Sequence, residues 1–141
     1  MTIIDGTNLR LGRLASSVAK RALRGEEIII LNTEKCVITG KKRSVIKDKR
    51  DMRQIGSRYK GPFLPKRADR IVKRAIRGML PYKKKRGREA MGRIRTYIGI
   101  PEEFKDQLKD LETLENAELG AVMKKNYITV ETLSKEAGYI L

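Results

Sequence analysis

The amino-acid sequence predicts an α/β fold, and three observations lead there. A short β-branched run (Thr2 to Ile4), an apolar helical pattern and a second β-branched run (Glu26 to Leu31) follow in βαβ order. The second run is continuous rather than alternating, as in a parallel strand buried on both faces. An amphipathic stretch, Ala68 to Leu80, supplies a further helix with one apolar face.

In chain order, Thr2 to Ile4 forms a strand that turns at Asp5-Gly6-Thr7-Asn8. Leu11, Leu14, Ala15, Val18, Ala19, Ala22 and Leu23 recur at helical spacing, and Gly25 ends that helix at a favoured C-terminal position. The strand Glu26 to Leu31 completes a crossover that should be right-handed, setting the two strands parallel. Lys35 to Ile38 reads as another strand, closed by Thr39-Gly40. Lys41 to Met52 reads as a helix with Val45, Ile46 and Met52 turned inward. Arg53 to Arg67 holds Gly56, Gly61, Pro62 and Pro65 and is expected to be irregular; a loop of that length suggests a function. The helix Ala68 to Leu80 is stopped by Pro81, and Tyr82 to Arg93 is expected to be a second irregular arm. Ile94 to Ile98 alternates as a strand should. Pro101 to Leu119 reads as a solvent-facing helix with Phe104, Leu108, Leu111 and Leu114 on one stripe. Tyr127 to Val130 and Glu131 to Ala137 are a last strand and helix. The 141 residues suit one domain, 1–141, with its acidic C-terminal extension 101–141 packed on the body.

Charge carries the functional signal. There are 33 Lys and Arg against 17 Asp and Glu, a net +16. The excess is not spread out: residues 41–95 alone carry 22 basic and four acidic residues, and the rest of the chain is slightly negative. Pro101 to Leu119 holds seven acidic residues and two basic ones, so it should face away from a polyanion. A contiguous cationic segment of this size needs a polyanion to neutralise it, and releasing condensed counterions from phosphates drives such binding.

The candidate RNA-binding residues follow from that map. On the helix 68–80, Arg70, Lys73, Arg74 and Arg77 form a cationic stripe at i, i+3, i+4, i+7, with Asp69 the only acid. The preceding helix and its flank add Lys41, Lys42, Arg43, Lys47, Lys49, Arg50 and Arg53. The first arm adds Arg58, Tyr59, Lys60, Lys66 and Arg67, and the second Lys83, Lys84, Lys85, Arg86 and Arg88. Tyr59 and Tyr82 lie among basic residues; stacking on an unpaired base and covering the core edge fit them equally. Arg10 and Arg13, at the strand-to-helix turn, are candidates too. The arms lack the apolar content to order alone, which favours folded RNA, although composition is compatible with DNA as well. No helix-turn-helix, zinc-finger or basic-zipper pattern speaks for duplex DNA.

Several functions lose their means. The chain has no histidine and a single cysteine, Cys36, in the apolar run Cys36-Val37-Ile38. That removes His-based triads, Cys–His dyads, multi-ligand zinc sites and intrachain disulfides. The Asp5–Arg13 turn is neither GxGxxG nor a Walker loop. Acid pairs such as Asp48 with Asp51 or Asp106 with Asp110 have the spacing of helix-stabilising ion pairs. No apolar run nears the roughly 20 residues of a membrane span, and Met1 to Asp5 does not resemble a signal peptide. No cofactor, metal, membrane or small-molecule substrate is expected.

The sequence resembles the universal large-subunit ribosomal proteins of the L-thirteen family, in their archaeal and eukaryotic style. The likeness runs through Ile4-Asp5-Gly6, Leu11-Gly12-Arg13-Leu14-Ala15, Asn32-Thr33-Glu34-Lys35 and Ile38-Thr39-Gly40. Its most specific part is Ile76-Arg77-Gly78-Met79-Leu80-Pro81, followed by Gly87-Arg88 and Tyr97-Ile98-Gly99. It covers about two-thirds of the chain and thins after Pro101. The resemblance implies a three-layer α/β/α domain with a small, mostly parallel sheet. It implies binding to large-subunit ribosomal RNA beside neighbouring ribosomal proteins, in the cytoplasm, and no enzymatic activity. By position, Arg70 to Met79 and Lys83 to Arg88 would face RNA. A free regulatory RNA-binding protein is the alternative, and an enzyme on a nucleotide-binding-like fold a more distant one.

Overall fold

A computed structural model describes residues 1–57, 59–105, 111–120 and 126–139. The β-branched runs do form a parallel sheet. Strand β1 (Thr2–Asp5) pairs with β2 (Ile28–Leu31), which pairs with β4 (Ile94–Thr96). On the other side β1 pairs with a two-residue strand, β5 (Leu111–Glu112), giving the order β4-β2-β1-β5 with every pairing parallel.

Side chains alternate across a strand, so the four residues of β2 serve two cores. Ile28 and Ile30 join Ile4 on one face, against Leu14, Ala15, Val18 and Ala22 of helix α1 (Leu11–Leu23) and Val72 and Ile76 of α3 (Ala68–Gly78). Ile29 and Leu31 join Ile3 on the opposite face, covered by Phe104 with Tyr97 and Leu111 beside it. This is why β2 reads Ile-Ile-Ile-Leu without a polar residue, and all four are buried. The result is a three-layer α/β/α domain, in which the layer over Phe104 is a 3-10 turn, Glu102 to Lys105, among the described residues.

A second, two-stranded antiparallel ribbon joins β3 (Val37–Thr39) to β6 (Tyr127–Thr129). Helix α5 (Val130–Glu136) follows β6, its first turn capped by the Thr129 hydroxyl, which accepts from the Thr132 N–H at 3.3 Å. Buried Ser134 of α5 donates to the Lys66 carbonyl at 2.6 Å and so anchors the end of the 53–67 arm.

Two expectations are corrected. The stretch 82–93 is not irregular: residues Lys85–Gly92 form helix α4, with Gly87 and Ala90 buried. Its two glycines and basic run lower helix propensity, but packing on α1 and β4 outweighs that. The stretch 101–119 is not one helix. It contributes the Phe104 turn, strand β5 and a 3-10 turn at Glu115–Ala117; Leu108 and the acids Asp106 and Asp110 lie outside the described residues. Edge pairing with β1 and burial of Phe104 and Ala117 win over the helical spacing of its leucines.

Smaller shifts follow the same logic. Thr33–Lys35 is a 3-10 turn, so the strand expected from Lys35 begins at Val37. Strand β2 begins at Ile28, because Glu26 turns aside to pair with Arg21. Helix α2 (Lys42–Gln54) has no buried residue: Val45 and Ile46 are half-buried, and Met52 stays 46% exposed at the rim of a cleft. Helix α3 ends at Gly78, and Met79 is exposed.

Candidate nucleic-acid interface

Helix α3 places its side chains in two stripes. Ala68, Val72 and Ile76 are buried, while Arg70 and Arg77 are exposed and Lys73 and Arg74 half-exposed. The sharp division follows from the sequence: apolar residues recur at i, i+4, i+8 and cations occupy the intervening face. One N–H of the Arg74 guanidinium donates to the Phe63 carbonyl at 3.1 Å, tying the 61–65 segment to the helix. Arg77 lies 5.0 Å from the ring centroid of Tyr82, so the second tyrosine is engaged by a cation of the stripe.

An open groove of about 450 Å³ runs between these elements, lined by Phe63, Leu64, Pro65, Arg70, Lys73, Arg74, Arg77 and Met91. Among the described residues, no carboxylate lines it. A second cavity, about 250 Å³, lies between α2 and α3, with Lys49, Met52 and Arg53 on one wall and Leu64, Ile71 and Arg74 on the other. The end of α2, the 61–65 segment, α3 and the end of α4 are therefore contiguous, which brings Lys49, Arg53, Arg70, Lys73, Arg74 and Arg77 of the cationic segment to one surface, while Arg43, Lys47 and Arg50 line a separate pocket with Glu136. Burial lowers the Arg53 pKa from its ordinary value.

The remaining predicted residues divide. Lys41, Lys42, Arg43, Lys47 and Arg50 are exposed along α2, and Lys49 is half-exposed. Tyr59, Lys60 and Lys66 are exposed in the first arm, as are Lys83, Lys84, Lys85, Arg86 and Arg88 around α4. Arg58 lies outside the described residues. Arg67 is exposed but pairs with Asp69 at 3.2 Å and stands 5.9 Å from the Tyr139 ring centroid.

Arg10 and Arg13 also make contacts within the protein. Both guanidiniums donate to the Asn116 carbonyl, at 3.3 and 3.1 Å, and the Arg10 backbone N–H donates to the Ala117 carbonyl at 2.7 Å. They hold the 115–117 turn over the start of α1. The same turn region closes the Asp5–Arg13 loop, where the Leu119 N–H donates to the Asn8 carbonyl at 3.1 Å. A Cβ on Gly6 would come within 2.8 Å of the Cys36 sulfur and 2.9 Å of the Leu31 carbonyl oxygen. Gly6 thus serves a close backbone approach within the protein, and Cys36 is a buried core thiol.

Other motifs meet one another. Asn32, at φ 52°, donates from its side chain to the Asp5 carboxylate at 2.9 Å, which also accepts from the Thr7 N–H and hydroxyl. The Thr33 hydroxyl donates to the Tyr97 carbonyl at 2.8 Å, and the Gly99 N–H donates to the Glu34 carboxylate at 3.0 Å. The segments 32–34 and 97–99, far apart in sequence, thus fasten the ends of β2 and β4 together.

The family model described as Ribosomal protein L13 matches residues 1–103. The chain belongs to the ribosomal protein L13 family. Its relatives include the Large ribosomal subunit protein uL13 of Methanosarcina barkeri, 48% identical over 139 residues, 98% of each chain. The protein of the same name from Methanococcoides burtonii is 45% identical over 138 residues, again 98% of each. That from Methanopyrus kandleri is 47% identical over 138 residues, 98% of this chain and 87% of its own. The alignment with these L13 relatives runs past residue 103, so the acidic region that carries β5, β6 and α5 lies within the likeness. Among the described residues, no helix is long and apolar enough to cross a membrane, and no group of three or more His, Cys, Asp or Glu converges as metal ligands would.

Proposed function

We propose that the chain is a structural, non-catalytic constituent of the large ribosomal subunit in the cytoplasm, and that it binds ribosomal RNA through the surface built on α2, the 59–66 arm, α3 and α4. The observation that carries the RNA-facing side is the stripe Arg70, Lys73, Arg74 and Arg77 beside a groove that no carboxylate of the described residues lines. The names of the relatives place their bearers in the large subunit and support the same assignment. A guanidinium fork holds two phosphate oxygens, so the stripe positions the protein on the RNA backbone while RNA shape supplies specificity. Arg10 and Arg13 are assigned to the protein's own framework instead. Neighbouring ribosomal proteins are the expected partners of the surfaces away from the stripe.

The test is the salt dependence of binding to protein-free large-subunit RNA. Changing Arg70, Lys73, Arg74 and Arg77 together to Ala should reduce the slope of log affinity against log salt by about 3. An unchanged affinity and slope would remove this face from the RNA. Co-sedimentation with the large subunit at moderate and high salt separates the ribosomal role from that of a free regulatory protein, which would remain in light fractions.

A further inference from the structure

We propose that the groove between Phe63 and α3 takes a single unpaired nucleotide of the RNA, its base stacked on the Phe63 ring and its phosphates held by Arg70 and Arg77. This rests on the RNA-binding reading and adds a specific ligand geometry to it.

Phe63 is 72% exposed, in a chain with only two phenylalanines; the other, Phe104, is buried. An aromatic ring left in water does nothing for the fold, yet this one is held in place. Its carbonyl accepts from Arg74 at 3.1 Å, and its ring lies so close to Gly61 that a Cβ there would sit 3.1 Å from it. Gly61 also has φ 84°, a conformation that L side chains rarely adopt. The ring is therefore positioned by local structure rather than by burial.

Across from it stand Arg70, Lys73, Arg74 and Arg77, with Met91 adding an apolar contact at the side. The groove thus offers a flat apolar surface, a row of cations and about 450 Å³ of space. That volume is in the range of small-ligand sites. A ligand with a flat π-face and attached negative charge satisfies all three features, and an extruded nucleotide is such a ligand. An apolar peptide would leave four cations unneutralised. A groove open to solvent suits a nucleotide still joined to its chain.

The experiment uses the full chain and protein-free large-subunit RNA. Phe63→Leu removes the aromatic face but no charge. Affinity should fall about tenfold with the salt slope unchanged, and Phe63→Tyr should retain it. Ultraviolet crosslinking of the wild-type complex should attach a nucleotide to the peptide carrying Phe63. Because the ring is exposed, circular dichroism of both variants should match the wild type. Normal salt-dependent binding with no loss in Phe63→Leu, and no adduct on that peptide, would overturn the stacking groove while leaving the RNA-binding reading intact. Absence of salt-dependent binding in the wild type would overturn both. A Phe63→Leu defect seen only in whole-subunit assembly, and not with RNA alone, would assign the groove to a protein neighbour and overturn the proposal.

Discussion

Replacing Gly87 with alanine adds one methyl group where α4 passes close to the backbone of Pro81 and Tyr82. Built on Gly87, a Cβ would lie 2.1 Å from the Pro81 carbonyl oxygen, 2.4 Å from its carbon and 2.8 Å from the Tyr82 nitrogen. All three are backbone atoms, so no side chain can rotate away. Restoring ordinary contact requires the start of α4 to move about 1 Å from Pro81. Overpacking of this kind costs about 1–3 kcal/mol. The same movement strains the bond from the Lys84 N–H to the Pro81 carbonyl, now 2.9 Å, for about 1 kcal/mol more. Alanine's better helix propensity returns about 1 kcal/mol. The net expectation is a loss of about 2 kcal/mol, or a Tm lower by about 6–10 °C for a chain of this length. Gly92, in the same helix, is the control: a Cβ there meets nothing within 4 Å, so Gly92→Ala should be neutral or stabilising by up to about 1 kcal/mol. Thermal unfolding followed by circular dichroism distinguishes them. A Gly87→Ala protein as stable as the wild type would mean that α4 does not pass this close to Pro81, and the placement of the basic residues 83–86 would lose its support.

Three further outcomes are expected. Arg21 pairs with Glu26 at 2.7 Å and with both oxygens of Glu112 at 2.7 and 3.0 Å; those hydrogen bonds, Glu112 first, raise its already high pKa. Arg21→Met should cost about 1–2 kcal/mol, between surface and buried pairs, and should speed hydrogen exchange at the Leu111 and Glu112 amides as the edge strand loosens. Burial, then Glu34 and Asp5, push the Cys36 thiol from about 9 up to about 12. A thiol-specific reagent at pH 8 should therefore label Cys36 only after unfolding. A raised acid pKa contributes stability that is complete below pH 9 and lost as pH climbs towards 12. Wild type should lose about 1 kcal/mol more than Cys36→Ala between pH 9 and 10; equal slopes would contradict the buried thiol.

Much of the fold is legible in the sequence because local pattern and tertiary demand agree there. Helix α1 spans Leu11–Leu23, the limits its apolar spacing marks, and β2 lies at the end of an uninterrupted β-branched run. Legibility fails where a long-range partner decides the outcome. Helix α4 has two glycines in eight residues, and only its close passage over Pro81 makes Gly87 a requirement rather than a breaker. Strand β5 is two residues long, too short for any periodicity, and exists because β1 offers an open edge and Arg21 grips Glu112. Phe63 carries no sequence pattern at all: it lies in an arm read only as irregular and basic. A single aromatic flanked by Gly61, Pro62 and Pro65 was the available signal, since those residues fix a backbone while leaving a side chain outside it.

The arginines show why charge counting locates a face but cannot assign its members. Arg10, Arg13, Arg21 and Arg93 all donate to carbonyls or carboxylates within the protein, Arg13 while remaining exposed, and Arg43, Arg50, Arg70, Arg86 and Arg88 are exposed. The first group lies outside the segment 41–95 or, for Arg93, near its end, and binds elements distant in sequence: Arg10 and Arg13 reach residue 116, Arg21 reaches 112, and Arg93 reaches the Ala22 carbonyl. The acidic stretch therefore has a role that net charge hides. Its Glu112 pairs with Arg21 and so offsets one charge of the chain's positive field beside β1 and β5, while the neutral Asn116 carbonyl holds Arg10 and Arg13 in place without changing their charge. On the proposed RNA-binding reading, offsetting Arg21 there, while no carboxylate among the described residues lines the α3 groove, would give the domain a polarity that orients it before any specific contact forms. Exchanging Glu112 for Lys would weaken that polarity without touching α3, and should slow association with RNA more than it changes dissociation; an effect on dissociation alone would locate Glu112's influence in stability instead.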